Sequence, residues 1–391
     1  MLLSIAYLSL AAILLSQIAQ RLSLPSLVGM ILAGVVVGPF GLDLLSSELL
    51  AISPEIRRVA LVIILMRAGL ALDVESLRKA GRPALLLCFL PACIEIVAMI
   101  FIAPPLLGIS TLDAAILGSV IAAVSPAVVV PKMLTLIDER RGTDKSIPQM
   151  MMAGCSVDDL FVILLFTSFT TIAAGGEFHP SILGEVPVAI AMGIITGVAV
   201  GFVMVAIFRF VKLRDTLKII VLLSVAFGLL SLEEALRSIL PLSSLLAVMA
   251  MGATLLSRYP VLAKRLSPKY SKLWVIAEIL LFTLVGASLD ISYVAEVGPM
   301  AILVLLGALV WRMVGVYLSM VGSPLNTRER LFCMVAYIPK ATVQAAIGAI
   351  PLSMGLGCGE IVLAMSILAI LVTAPLGAFG IDYLSRFLSR E

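Results

Sequence analysis

Thirteen apolar runs, each near the length that crosses a lipid core, recur through the 391-residue chain. A helix of about 20 residues spans a hydrocarbon layer of about 30 Å. The runs fall at 2–20, 25–42, 55–72, 83–107, 111–136, 146–172, 182–210, 216–236, 241–257, 271–290, 294–321, 327–351 and 359–386. In lipid every backbone N–H and C=O needs a partner within the protein, so such runs must be helical. Only 13% of the residues are charged and 61% are hydrophobic, whereas soluble domains carry about 25% charge. The chain is expected to be an all-α, integral multi-pass membrane protein. Met1-Leu2-Leu3-Ser4 has no basic segment, so the first run is read as a retained helix and not a cleaved signal.

Basic residues alternate between the two sides. The connections after every second run, with the tail, carry 21 of the 27 Lys and Arg, whereas the opposite side carries Arg57, Arg58 and Arg237. Positive charge marks the cytoplasmic side, so the N-terminus is expected outside and the C-terminus in the cytoplasm. His179, the single histidine, falls in a polar connection. Cys88, Cys93, Cys155, Cys333 and Cys358 show no metal-ligand or CxxC spacing.

An internal echo divides the chain. Arg67-Ala68-Gly69-Leu70-Ala71-Leu72-Asp73 resembles Leu284-Val285-Gly286-Ala287-Ser288-Leu289-Asp290 at an offset of 217. Helix 5 holds Ser125-Pro126 and Pro131, and helix 12 holds Pro339-Lys340 with Thr342 and Gln344. The offset from Pro126 to Pro339 is 213. Seven helices separate the partners, so helices 1–6 and 8–13 form two six-helix repeats of opposite orientation. Proline removes a helical hydrogen bond, and backbone freed in lipid needs protein or a wet cavity around it. Either proline alone reads as a kink. As a matched pair they predict two broken helices crossing near mid-membrane, which marks a transporter's binding site. Gly193, Gly197 and Gly201 in helix 7 read as a packing face.

The ionisable residues inside the spans carry the chemistry. They are Arg67, Arg312, Lys340, Glu95, Asp158, Asp159 and Glu278. Asp158 lies about 18 Å into its helix, near the bilayer centre, where each charge costs at least about 2.5 kcal/mol. A polar pair bridging helices is the plainer reading. However, three bases against four acids leave one carboxylate without a fixed partner, and such a group holds a cation or a proton. Glu95 and Arg312 share the 217 offset, so the repeat predicts them as an ion pair; Arg67 and Glu278 lie at similar depth. No nucleotide loop, nucleophile elbow or metalloprotease motif is present, so no enzyme, cofactor or nucleic-acid partner is expected. An intramembrane aspartyl protease needs two Asp on facing helices, which adjacent residues of one helix do not supply.

Ser156-Val157-Asp158-Asp159, the Ser125-Pro126 break and Pro339-Lys340-Ala341-Thr342-Val343-Gln344-Ala345-Ala346 together resemble the cation/proton antiporters, most nearly the NHA branch of sodium/proton antiporters. The resemblance runs over essentially the whole chain. It implies exchange of Na⁺ or Li⁺ for H⁺ by an elevator-like, alternating-access motion of a homodimer in a bacterial plasma membrane. It implies a scaffold from residues 1–80 and 214–292, a linker helix at 181–213, and a moving core from 81–180 and 293–391. It assigns Asp159 as the ion ligand and Asp158 as a supporting charge close to Lys340. Ser125 and Ser156 are expected to complete the oxygen shell, with Arg312 and Glu95 stabilising the core. Arg312 stands where many electrogenic relatives carry lysine. Arginine does not lose its proton in proteins, which points to electroneutral exchange. K⁺/H⁺ exchange and sodium-coupled symport of an organic solute are the alternatives; the latter needs an aromatic pocket, and only 6% of residues are aromatic.

Overall fold

The computed structural model describes residues 1–71, 74–174, 181–236 and 242–389. Asp73, His179 and Arg237 lie outside them, as do the side chains at 74–80, 156, 160, 181–187 and 190. The described residues are α-helical, with no strand among them. Nine helical segments among them are long and apolar enough to cross a membrane, and the helices Ser26–Val37, Ser244–Arg258 and Thr342–Ser353 are shorter and apolar.

In order the helices are α1 Leu2–Arg21, α2 Ser26–Val37, α3 Ser47–Ala51, α4 Ser53–Ala71, α5 Val74–Leu87 and α6 Leu90–Leu107. Next come α7 Thr111–Ile121, α8 Pro126–Asp138, α9 Ile147–Ala173, α10 Ser181–Phe210, α11 Asp215–Leu236 and α12 Ser244–Arg258. The last are α13 Pro260–Ala287, α14 Ile291–Ser319, α15 Thr327–Ala336, α16 Thr342–Ile347, α17 Ile350–Ser353 and α18 Gly359–Leu384. The expected helix at 83–107 is a single span, Gly81–Leu107, with a break at Phe89 just ahead of Pro91.

Both proline-bearing runs are interrupted. The run at 111–136 is α7 and α8 separated by residues 122–125, with Pro126 at the first turn of α8. Proline suits that position because its missing N–H falls among the helix's unpaired donors. The run at 327–351 is α15 and α16–α17 separated by residues 337–341. The two breaks meet, since Ser125 N donates to Pro339 O at 2.8 Å. Pro131, by contrast, lies within continuous α8.

The chain forms two compact units. The first is Met1–Pro54, Asp73–Gly175 and Leu281–Glu391, and it holds both breaks. One part of its core gathers Leu87, Met151, Cys155, Phe332, Cys333 and Tyr337, all buried. The cap of α15 is tied into this unit: Glu329 and Asn326 form a capping box. Both Glu329 oxygens also accept from Lys145 Nζ at 2.8 Å.

The second unit is Glu55–Leu72 and Gly176–Leu280. Here Gly193, Gly197 and Gly201 of α10 lie against α12. A Cβ at any of them would overlap Ser243, Ala247 or Thr254, so the glycine pattern is a packing face. Arg58 pairs with Glu234 at 3.2 Å and Arg265 with Asp215 at 3.0 Å. Arg67 and Glu278 interact electrostatically, as their similar depth predicts.

Candidate functional site

The long helix α9 carries Asp158 to the break between α7 and α8. Asp158 is fully buried, and its Oδ2 accepts from Val124 N at 2.9 Å and from Arg312 Nη2 at 3.0 Å. Arg312 projects from α14 and is 1% exposed. Its Nη1 donates to Glu95 Oε2 at 2.8 Å and to Ala122 O, and its Nε donates to Tyr337 O at 2.8 Å. Ala122 and Tyr337 end the half-helices α7 and α15, whose last carbonyls lack helical partners. One guanidinium thus serves both breaks and two carboxylates.

Lys340 lies within the second break. Its Nζ donates to both oxygens of Glu95, at 2.9 and 2.8 Å, and its backbone N donates to Thr373 Oγ1 at 2.8 Å. Gln344 of α16 is fully buried. Its Nε2 donates to Val120 O at 3.0 Å, Ile121 O at 3.2 Å and Ala123 O at 3.0 Å.

The expected pairing of Glu95 with Arg312 is present. Lys340 acts on Asp158 electrostatically, but the direct ion pairs are Asp158 with Arg312 and Lys340 with Glu95. The cause is geometric. A planar guanidinium presents five donors and bridges several acceptors, whereas an ammonium is a compact point charge, here occupied by both Glu95 oxygens.

The charges then balance in a specific way. Arg312 and Lys340 are matched by Glu95 and Asp158. Asp159, the next residue on α9, forms no ion pair among the described residues. Its Oδ1 is shut off from solvent with no hydrogen-bond partner. Adjacent helical positions point about 100° apart; Arg312, which Asp158 contacts directly, acts on Asp159 through space. Buried oxygens without a hydrogen-bond partner among the described residues also include Asp158 Oδ1, Ser125 Oγ, Thr342 Oγ1, Gln344 Oε1 and Tyr337 OH. Ser125 is the N-cap of α8, yet its side chain makes no cap bond. These are the hard oxygen donors that alkali cations prefer. Ser156 lies on α9, but its side chain is outside the described residues.

The sequence reading did not single out Tyr337 or Thr373. Tyr337 offers its carbonyl to Arg312 and sets its ring 5.4 Å from the guanidinium. Gly154, one turn before Asp158, leaves room for the Tyr337 hydroxyl; a Cβ there would overlap it. The glycine in Ala153-Gly154-Cys155 was the available signal, but its partner lies 183 residues further on in the chain.

The family model described as sodium/hydrogen exchanger, transmembrane, matches residues 6–385. The chain belongs to the sodium/hydrogen exchanger family. Sodium/hydrogen exchanger 9B2 of Mus musculus is 32% identical over 378 residues, covering 92% of this exchanger and 68% of that protein. Sodium/hydrogen exchanger 9B1 of Homo sapiens is 30% identical over 378 residues, covering 91% and 70%. The fold matches the sodium proton antiporter MjNhaP1 from Methanocaldococcus jannaschii at pH 8, with a TM-score of 0.84. That match has 20% identity and covers 99% of both chains. The exchanger is therefore a multi-pass membrane transporter and not an enzyme.

Proposed function

We propose that this exchanger moves Na⁺ or Li⁺ in one direction and H⁺ in the other through a single shared site at Asp159. One observation carries the reading: among the described residues Asp159 is the carboxylate at the crossing that forms no ion pair, while Glu95 and Asp158 are matched by Arg312 and Lys340. A cation binds its ionised form and a proton replaces that cation, because a bare charge within the membrane is costly. Ser125, Ser156 and Asp158 supply further oxygens. Arg312 stays charged, so one carboxylate exchanging one Na⁺ for one H⁺ is electroneutral.

The motion proposed is alternating access, with 81–180 and 293–391 carrying the ion past a scaffold of 1–80 and 214–292 in a homodimer. That residues 81–175 and 293–391 share one compact unit supports their moving together; α1 and α2, assigned here to the scaffold, also belong to that unit. Thirteen spans in two inverted repeats fit the nine long segments together with α2, α4, α12 and the broken α15–α17. The N-terminus is placed outside and the C-terminus in the cytoplasm.

Reconstitution tests the reading. In proteoliposomes with an imposed pH gradient, added Na⁺ or Li⁺ should dissipate the gradient, and K⁺ should do so weakly. A response to K⁺ alone would assign the exchanger to potassium, and no response to any of the three would contradict cation/proton exchange.

A further inference from the structure

The Ala123–Val124 peptide lies between two side chains brought from opposite directions. Its carbonyl accepts from Gln344 Nε2 at 3.0 Å, and its N–H donates to Asp158 Oδ2 at 2.9 Å. The peptide is trans, so its C=O and N–H point opposite ways within one plane. The result is a continuous chain from the Gln344 amide through the peptide to the Asp158 carboxylate. It joins α16 to α9 across the break in the other repeat.

Hydrogen bonds in such a chain polarise one another. A donor on the carbonyl makes the N–H at the far edge a stronger donor, and that N–H faces a carboxylate. The same Gln344 amide also holds Val120 O and Ile121 O, and Arg312 holds Ala122 O. The carbonyls at 120–123 are therefore all occupied, which fixes the plane of the 123–124 peptide. Several charged or titratable groups act on Asp158 from the elements around it. They are Arg312 of α14, Lys340 of the second break, its helix neighbour Asp159, Cys88 following α5, Cys93 of α6 and Tyr337. Among the described residues, the side-chain donor on the 123–124 carbonyl is Gln344 Nε2.

We propose that Gln344 is a positioning residue of the ion site, which holds the Val124 N–H on Asp158 so that this carboxylate keeps one orientation while Asp159 alternates between cation and proton. The inference rests on the exchange reading above and adds to it a residue that need not touch the ion. Gln344→Glu keeps the shape and loses the amide donor. Gln344→Met keeps the length and has no donor or charge.

The test is the Na⁺ dependence of proton movement in proteoliposomes at one fixed pH, with KM and maximal rate separated. Both variants should raise KM for Na⁺ about twofold to fivefold with the maximal rate little changed. A fall in maximal rate with an unmoved KM would overturn the proposal, as would an unmoved KM and rate. Loss of the folded protein in both variants would overturn it too, since the amide would then be structural. A wild-type protein with no cation-driven proton movement would instead contradict the exchange reading itself.

Discussion

Arg312 is the residue on which the buried charges depend. Its donors reach Glu95, Asp158 and the carbonyls of Ala122 and Tyr337. Removing one member of a buried ion pair leaves an uncompensated charge and costs about 3–5 kcal/mol. Glu95 is the counter-ion of both Arg312 and Lys340, so Glu95→Ala should lower the melting temperature strongly in detergent. Apparent Na⁺ affinity in the surviving protein should change less; the reverse pattern would place Glu95 in the ion shell. Gly154→Ala should also destabilise, because its Cβ meets the Tyr337 hydroxyl. Tyr337→Phe removes that hydroxyl, so the double variant should recover part of the loss, read as a thermal-melt coupling. If the two changes simply add, the hydroxyl is not what Gly154 accommodates.

At the scale of elements, the capping box of α15 ties its start to the connection that precedes α9. Glu329 is 2% exposed; it accepts Asn326 N at 2.7 Å and Lys145 Nζ on both oxygens. Glu329→Gln keeps a cap acceptor and loses the charge, whereas Glu329→Ala loses both. The alanine variant should melt lower than the glutamine variant, by about the 0.5–2 kcal/mol that a cap contributes. Equal melting temperatures would assign the whole effect to the ion pair.

Much of this level was legible in the sequence. Pro126 and Pro339 announced the two breaks because proline cannot continue a helical ladder. The shared 217 offset announced the pairing of Glu95 with Arg312. The partner of Asp158 was not legible, because a count of charges does not say which base reaches which acid. That choice follows from the fork of a guanidinium against the single point of an ammonium. Gln344 was visible only as part of a motif, since the carbonyls it holds lie 221–224 residues away in the chain. A further break, at Phe89, sits one residue before Leu90-Pro91; its proline was in plain view but had no matching proline elsewhere in the sequence pattern to mark it.

For the molecule as a whole, the proposed exchange of cation for proton at Asp159 alone has a consequence for the response to a membrane potential. With Arg312 permanently charged and Lys340 bound to Glu95, one Na⁺ should replace one H⁺. A potassium diffusion potential imposed across proteoliposomes should then leave the rate of Na⁺/H⁺ exchange unchanged; acceleration by an inside-negative or inside-positive potential would contradict a one-for-one exchange. Asp158→Asn should keep partial activity, because Asp158 supports the site and the carboxylate at 159 remains. Loss of all exchange in Asp158→Asn would give the two acids equal standing. The most direct test is Asp159→Asn, purified, checked for folding by its melting temperature and reconstituted beside the wild type. The account predicts that Na⁺ collapses an imposed pH gradient in wild-type vesicles and leaves it standing in those with Asp159→Asn; full Na⁺-driven collapse by the folded Asp159→Asn protein would contradict it.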